Sequence, residues 1–400
     1  MGSIVAYYHG RLLGGGMRLL SERHLRVLRR RARRGQIARV WSGQSEKNRA
    51  ADRLARTKAR NAFRSWRSQL PPADERRIPE QKLSILNPPA RLSFEDNYEE
   101  TLAFILAIRA RSSDKKERLG RYGYKSSFSR INLDQIKDID PAVGLVLAGE
   151  MDRSFTKRQG VTLRSNDDQW HENVRELFLT SGLFELLRIA PKGSFIRPPA
   201  GPVRRMLKYR RGSAPDGQQA DQLRVELEEL CGLEFGPRVP VNNALCEAMT
   251  NVHHHAYPPG RIWYPMQPKG DWWATGAWSP DSGTMHMMIY DQGVGIPATL
   301  PRSSHWTSAI PLLDRLDPEK TDAGLIEAAL ELRRTSTDIG GRGRGLYEMA
   351  EWIDKTQKGF LRIMSGAGVV TFRPGNKVVR RTLSAPFCGT LVEWEVQHGA

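Results

Sequence analysis

Residues 271–297 read DWWATGAWSPDSGTMHMMIYDQGVGIP. Trp272–Trp278 and Met285–Tyr290 are apolar runs of strand length, separated by the turn-forming stretch Ser279–Gly283. This pattern predicts two strands joined as a hairpin. The second strand runs straight into Asp291-Gln292-Gly293-Val294-Gly295-Ile296. A buried strand that ends in Asp and two glycines puts a carboxylate at a pocket floor and lets backbone approach a flat ligand. A tight turn that needs glycine reads the same way, so this stretch alone leaves both readings open.

Upstream, residues 240–257 read PVNNALCEAMTNVHHHAY. Wound as a helix at about 100° per residue, Asn251 and His254 fall within about 40° of Glu247, and His255 within about 80°. Leu245, Ala248, Met249, Val252 and Ala256 gather on the far side. A carboxylate and an amide one turn apart are oxygen donors that suit Mg²⁺. An ordinary amphipathic helix with a polar outer face is the alternative. Three successive histidines point in different directions on a helix, and HExxH spacing is absent, so a zinc site is not expected.

Downstream, Gly340-Gly341-Arg342-Gly343-Arg344-Gly345-Leu346 leads into the amphipathic stretch YEMAEWIDKT. Free N–H groups at a helix start bind anions, and glycines let phosphates come close. A flexible linker is the alternative. No GK[ST] follows and no strand precedes, so this is neither a P-loop nor the dinucleotide fingerprint.

The three pieces occur in the order ExxxNxxxHA, DxGxGI, GxGxGL, with the hairpin between the first two. That arrangement resembles the GHKL ATP-binding superfamily of gyrase B, the ninety-kilodalton heat-shock chaperones, histidine kinases, MutL and anti-sigma kinases. The resemblance covers about residues 220–398, with further strands expected near 360–364, 368–373, 378–383 and 390–396. It implies an α/β (α+β) protein whose residues 220–400 form a Bergerat-type sandwich that binds ATP and Mg²⁺.

The resemblance also implies roles. Asp291 accepts the adenine amino group, Gly293 and Gly295 shape the adenine pocket, and Thr390, after Gly389, lies near the adenine. Asn251 holds Mg²⁺, and Glu247 acts as general base toward water or a substrate hydroxyl. Gly341, Gly343 and Gly345 wrap the phosphates. His255 matches a family position of variable role. Residues 298–339 form a lid with a helix at Leu325–Arg334. No phosphoacceptor-helix pattern precedes residue 220, and the chain ends on the last strand, where gyrase and MutL continue into a transducer. The expectation is an ATP hydrolase or anti-sigma-like protein kinase of regulatory purpose. An ATP-gated binding switch and a nucleic-acid-associated ATPase remain as alternatives. Each implies a partner that the sequence does not name.

The N-terminal half is less marked. Residues 95–110 read as a helix, Ile131 and Leu133 alternate as in a strand, Asp140-Pro141 reads as a turn, and Gly144–Ala148 is a short apolar run. Gly160–Leu163 reads as a strand, and 167–187 as a helix closed near Gly182. This order resembles the STAS fold of anti-sigma-factor antagonists over 81–195. That family often carries a phosphorylatable serine after the Asp. Here Pro141, Ala142 and Val143 stand there, and none accepts phosphate. Residues 196–219, rich in Pro, Gly and Arg, read as a linker.

The formal net charge is +18 over 400 residues, and residues 1–80 hold 20 Lys+Arg against 6 Asp+Glu. The run Arg23–Arg34 is densest. This stretch reads as a flexible arm for nucleic acid or another anionic surface, or as a plain solvated tail. Its Arg-rich, acid-poor composition also resembles a transit peptide, and Met17 offers a later start. Three cysteines without CxxC exclude a disulfide scaffold and a cysteine zinc site and favour a reducing cytoplasm. No apolar run reaches membrane-spanning length, so no membrane contact is expected.

Overall fold

In the computed structural model, the described residues are 84–111, 128–156, 166–192, 204–232, 238–261, 268, 270–303, 305–335, 345–356 and 358–397. The basic stretch 1–80 and the expected strand at 160–163 lie outside them. So do Gly341 and Gly343.

The described part begins with short strands and helices. β1 (Ser84–Leu86) pairs in parallel with β3 (Phe128–Ile131), and β2 (Arg91–Leu92) with β4 (Asp138–Ile139). Helix α1 (Tyr98–Arg111) lies between β2 and β3, and α2 (Pro141–Thr156) follows β4. Pro141 fits the first helical position, where its missing N–H costs nothing. The turn expected at Asp140-Pro141 is therefore the start of a helix that also contains Gly144–Ala148. The single helix expected over 167–187 is three pieces. A 3-10 turn (Asp167–Gln169) leads to α3 (Glu172–Thr180) and α4 (Leu183–Leu187), split where Gly182 takes a φ of 71°.

The C-terminal part is built on a six-stranded sheet whose paired strands are all antiparallel. β5 (Arg205–Met206) and β6 (Arg210–Gly212) pair with β7 (Trp272–Ser279), then come β8 (Thr284–Asp291), β10 (Lys377–Gln397) and β9 (Phe360–Arg373). Thus residues 196–219, read as a linker, supply two sheet strands and the start of α5 (Gly217–Cys231). Asp216 caps α5 by accepting from the N–H groups of Gln218 and Gln219, both at 3.1 Å. α6 (Arg238–Asn251) precedes the hairpin. After β8 come α7 (Ile296–Thr299), α8 (Trp306–Leu316), α9 (Asp322–Thr335) and α10 (Gly345–Thr356). The four strands expected after residue 359 are two long ones, broken in register between Thr382 and Thr390.

Strand alternation gives the sheet two buried faces. On one face, Trp272, Met287 and Ile289 pack with Leu223 and Leu227 of α5, Leu245 and Met249 of α6, and Trp352 of α10. On the other, Trp273, Met288 and Tyr290 share a cluster with Leu102 and Ile105 of α1 and Val143, Val146 and Leu147 of α2. The N-terminal helices thus form the layer behind the sheet. Leu300, Ala309, Leu313, Leu325, Ala328 and Leu332 make a third cluster of their own. The stretch expected to be a lid is therefore largely packed helix. Among the described residues, no helix is long and apolar enough to cross a membrane.

Candidate functional site

The site lies at the end of β8. Asp291 is the last residue of that strand, and its Cα pairs with Trp272 on β7 and Thr390 on β10. Its side chain belongs to the α6 face and is 5% exposed. Gly293 N–H donates to its Oδ1 at 2.6 Å, and the Thr390 hydroxyl and N–H also bond to it. Burial pushes the Asp291 carboxyl up to about 7, although these donors and the Arg109 charge pull the other way.

Two glycines are required by close approach. A Cβ on Gly293 would stand 2.5 Å from both the Cβ and the carbonyl oxygen of Ala256. One on Gly389, at φ 106°, would stand 1.9 Å from the Asp291 carbonyl oxygen. The chain after Asp291 is tied to the end of the helix: Val294 N–H donates to the Ala256 carbonyl at 2.9 Å, and Gln292 N–H donates to Tyr257 Oη at 2.9 Å.

The helix itself departs from the expected regular winding. α6 ends at Asn251, and Val252–Ala256 form a π turn. A π turn advances less per residue, so the fourth residue after Asn251, not the third, returns to its side. His255 accordingly lines the same cavity as Asn251, while His254, expected beside Glu247, is exposed and does not.

That cavity holds about 870 Å³, counted out to solvent. Asn251 and His255 come from the helix wall, Asp291 and Thr390 from the sheet, and Gly295 from the loop between β8 and α7. Ile289, Val392, Ala248, Leu332 and Met349 make much of the wall apolar. The lining suits a small flat ligand with few polar anchors. Five residues picked from the sequence thus meet at one place. Gly293 does not line the cavity, but its N–H bonds to the Asp291 carboxylate. Glu247 lies one turn before Asn251 on α6 and is half-buried, but it does not line the cavity. Gly345 is the first residue of α10.

Other residues escaped the sequence reading. Ser365, on β9, accepts from Ile296 N–H at 2.9 Å and lies 3.1 Å from Thr390 Oγ1. Its place follows from pairing with Thr390, which no local pattern announces. Thr299, Ser303 and His305 line the cavity from the α7–α8 side. Tyr257 was visible as a lone aromatic after the histidines, with nothing to mark it.

Asn251 Nδ2 is buried and has no hydrogen-bond partner. A buried amide nitrogen without a partner is costly, and as an N–H donor it is met by an acceptor atom, not by a cation. Among the described residues no cluster of three or more His, Cys, Asp or Glu could hold a metal. A single carboxamide oxygen suits Mg²⁺ carried largely by phosphates and water. No protein-family model matches the chain, and no curated protein matches it either.

Proposed function

We propose that the cavity is an ATP site of the GHKL kind and that the chain is a Mg²⁺-dependent, ATP-binding regulatory protein. One observation carries this reading: Asn251, His255, Asp291, Gly295 and Thr390, chosen by motif order alone, line a single largely apolar cavity. In this reading, ionised Asp291 accepts the adenine amino group, and Thr390 and the Gly293 N–H fix the carboxylate's orientation. The apolar wall excludes water from the base, which strengthens that hydrogen bond. Asn251 would hold Mg²⁺, which supplies charge neutralisation to the phosphates.

Glu247 stands on the same helix one turn away and is proposed as the general base that takes a proton from water or from a partner's hydroxyl. The sandwich of the Bergerat type, with the helices of 298–335 as its lid, is part of the same proposal. So is a STAS-like origin for the layer behind the sheet. Calorimetric titration with ATP, ADP and GTP, with and without Mg²⁺, tests the binding reading. Phosphate release, with and without candidate partners, tests the chemistry.

A further inference from the structure

Behind the sheet, the two residues that flank Asp291 are held by one carboxylate oxygen. Tyr290 Oη donates to Glu150 Oε1 at 2.7 Å, and Gln292 Nε2 donates to the same oxygen at 2.9 Å. Glu150 lies in α2 and is fully buried. Its counter-ion is Arg109 of α1, whose Nε donates to Oε2 at 2.9 Å and whose Nη2 also reaches Oε1. The same Nη2 donates to Tyr290 Oη at 2.8 Å and to the Cys388 carbonyl at 3.2 Å, two residues before Thr390. Arg153 Nη1 donates to Gln292 Oε1 at 3.4 Å. The network therefore grips both strands that make the cavity floor, from the face opposite the cavity.

Packing alone does not call for these charges. A buried ion pair is often replaced by apolar residues of similar volume at no loss of stability. Burial opposes ionisation of Glu150, yet Arg109 holds its carboxyl below the usual range, so the pair stays charged. The Arg109 charge reaches Asp291 as well, where it favours the carboxylate.

We infer that Glu150, with Arg109, is a positioning residue for Asp291, so that the helical layer behind the sheet sets where and in which charge state Asp291 meets an adenine amine. The ligand named here rests on the ATP reading, whereas the coupling to Asp291 does not. The titratable groups that face this end of β8 are Arg109, Glu150, Arg153, Tyr257 and Asp271, with His255 and His305 across the cavity.

The test uses the full chain with ¹³C-labelled aspartate carboxyls, the Asp291 signal being assigned by its loss in Asp291→Asn. Its midpoint is followed by NMR in wild type, Glu150→Gln and Arg109→Gln, and ATP affinity is measured by calorimetry across the same pH range. Glu150→Gln leaves Arg109 uncompensated and should lower the midpoint by on the order of half a pH unit; Arg109→Gln should raise it by a similar amount. The pH midpoint of ATP binding should move with each.

A merely structural pair would loosen the fold in both variants and shift both midpoints in one direction or in neither, and that result overturns the inference. Should either single variant fail to fold, the apolar pair Arg109→Met with Glu150→Leu keeps the packing. It should weaken ATP binding at least ~5-fold above pH 8 through loss of both anchors, and wild-type affinity in it overturns the inference. Opposite midpoint shifts in a protein that binds no ATP would sink the nucleotide reading and leave the positioning role standing.

Discussion

Asp291 and Thr390 stand directly opposite each other, Cα partners in the ladder between β8 and β10. The pairing turns the Thr390 hydroxyl onto the carboxylate that ends β8, and Gly389 beside it is the residue whose bare Cα permits the close approach. Motifs far apart in the chain are thereby made into one floor.

The raised titration of Asp291 has a definite sign. Its folded value of about 7 lies above the ordinary 3.8, so the fold favours the protonated form. The stability linked to this group is fully present below about pH 4 and is lost as pH rises through about 7, a loss of roughly 4 kcal/mol at completion. Asp291→Asn removes the dependence. Melting curves should show the variant gaining on wild type between pH 4 and 7 and level with pH above that. A gap that does not change with pH would refute the assignment.

ATP binding should run the other way. The ionised carboxylate is the better acceptor for the adenine amine, so affinity should rise as pH increases from about 6 to 8 and binding should release protons in that range. Calorimetry in buffers of different ionisation enthalpy reads the proton count, and affinity independent of pH would count against Asp291 as the anchor.

Glu247 and Asn251 should separate chemistry from binding. Glu247→Gln keeps size and removes the base, so turnover should fall by ~10²–10⁴ with affinity changed no more than a few fold. Asn251→Ala should cost affinity in the presence of Mg²⁺ and change little without it. Equal losses with and without the ion would remove Asn251 from the metal's neighbourhood.

Gly293→Ala would press a methyl group into the Ala256 carbonyl, on backbone that cannot swing aside. Overpacking of this kind costs about 1–3 kcal/mol, which urea unfolding would register. ATP affinity should fall by more than tenfold, because backbone pushed away from Ala256 carries with it the N–H that donates to Asp291. An unaltered midpoint and affinity would mean that the loop is not held as described.

The hairpin was legible because it is local: the run expected at Trp272–Trp278 is found at Trp272–Ser279, so the turn expected at Ser279–Gly283 begins one residue later. The helix expected at Leu325–Arg334 runs over Asp322–Thr335 for the same reason. The π turn after Asn251 was not legible: nothing in VHHHA marks it, and the contact that ties its end down, Val294 N–H to the Ala256 carbonyl, comes from a loop far along the chain. β9 and β10 looked like four strands because Gly366 and the stretch Ser384–Cys388 interrupt the pattern without ending the pairing. The Arg109–Glu150–Tyr290 network was invisible: its members come from three elements, and only the packing of α1 and α2 behind the sheet brings them together. The cavity floor around Asp291 was thus readable from motifs, while the layer that holds it was not.

The most direct test of the account is calorimetric titration of ATP and GTP, with Mg²⁺ at pH 8, into wild type and Asp291→Asn. The account predicts that wild type binds ATP and discriminates against GTP, whose carbonyl meets the carboxylate where adenine offers an amine. It also predicts that Asp291→Asn loses at least ~1–3 kcal/mol of ATP affinity while remaining folded. Equal affinity of wild type for ATP and GTP, or an Asp291→Asn variant that binds ATP as tightly as wild type, would contradict it.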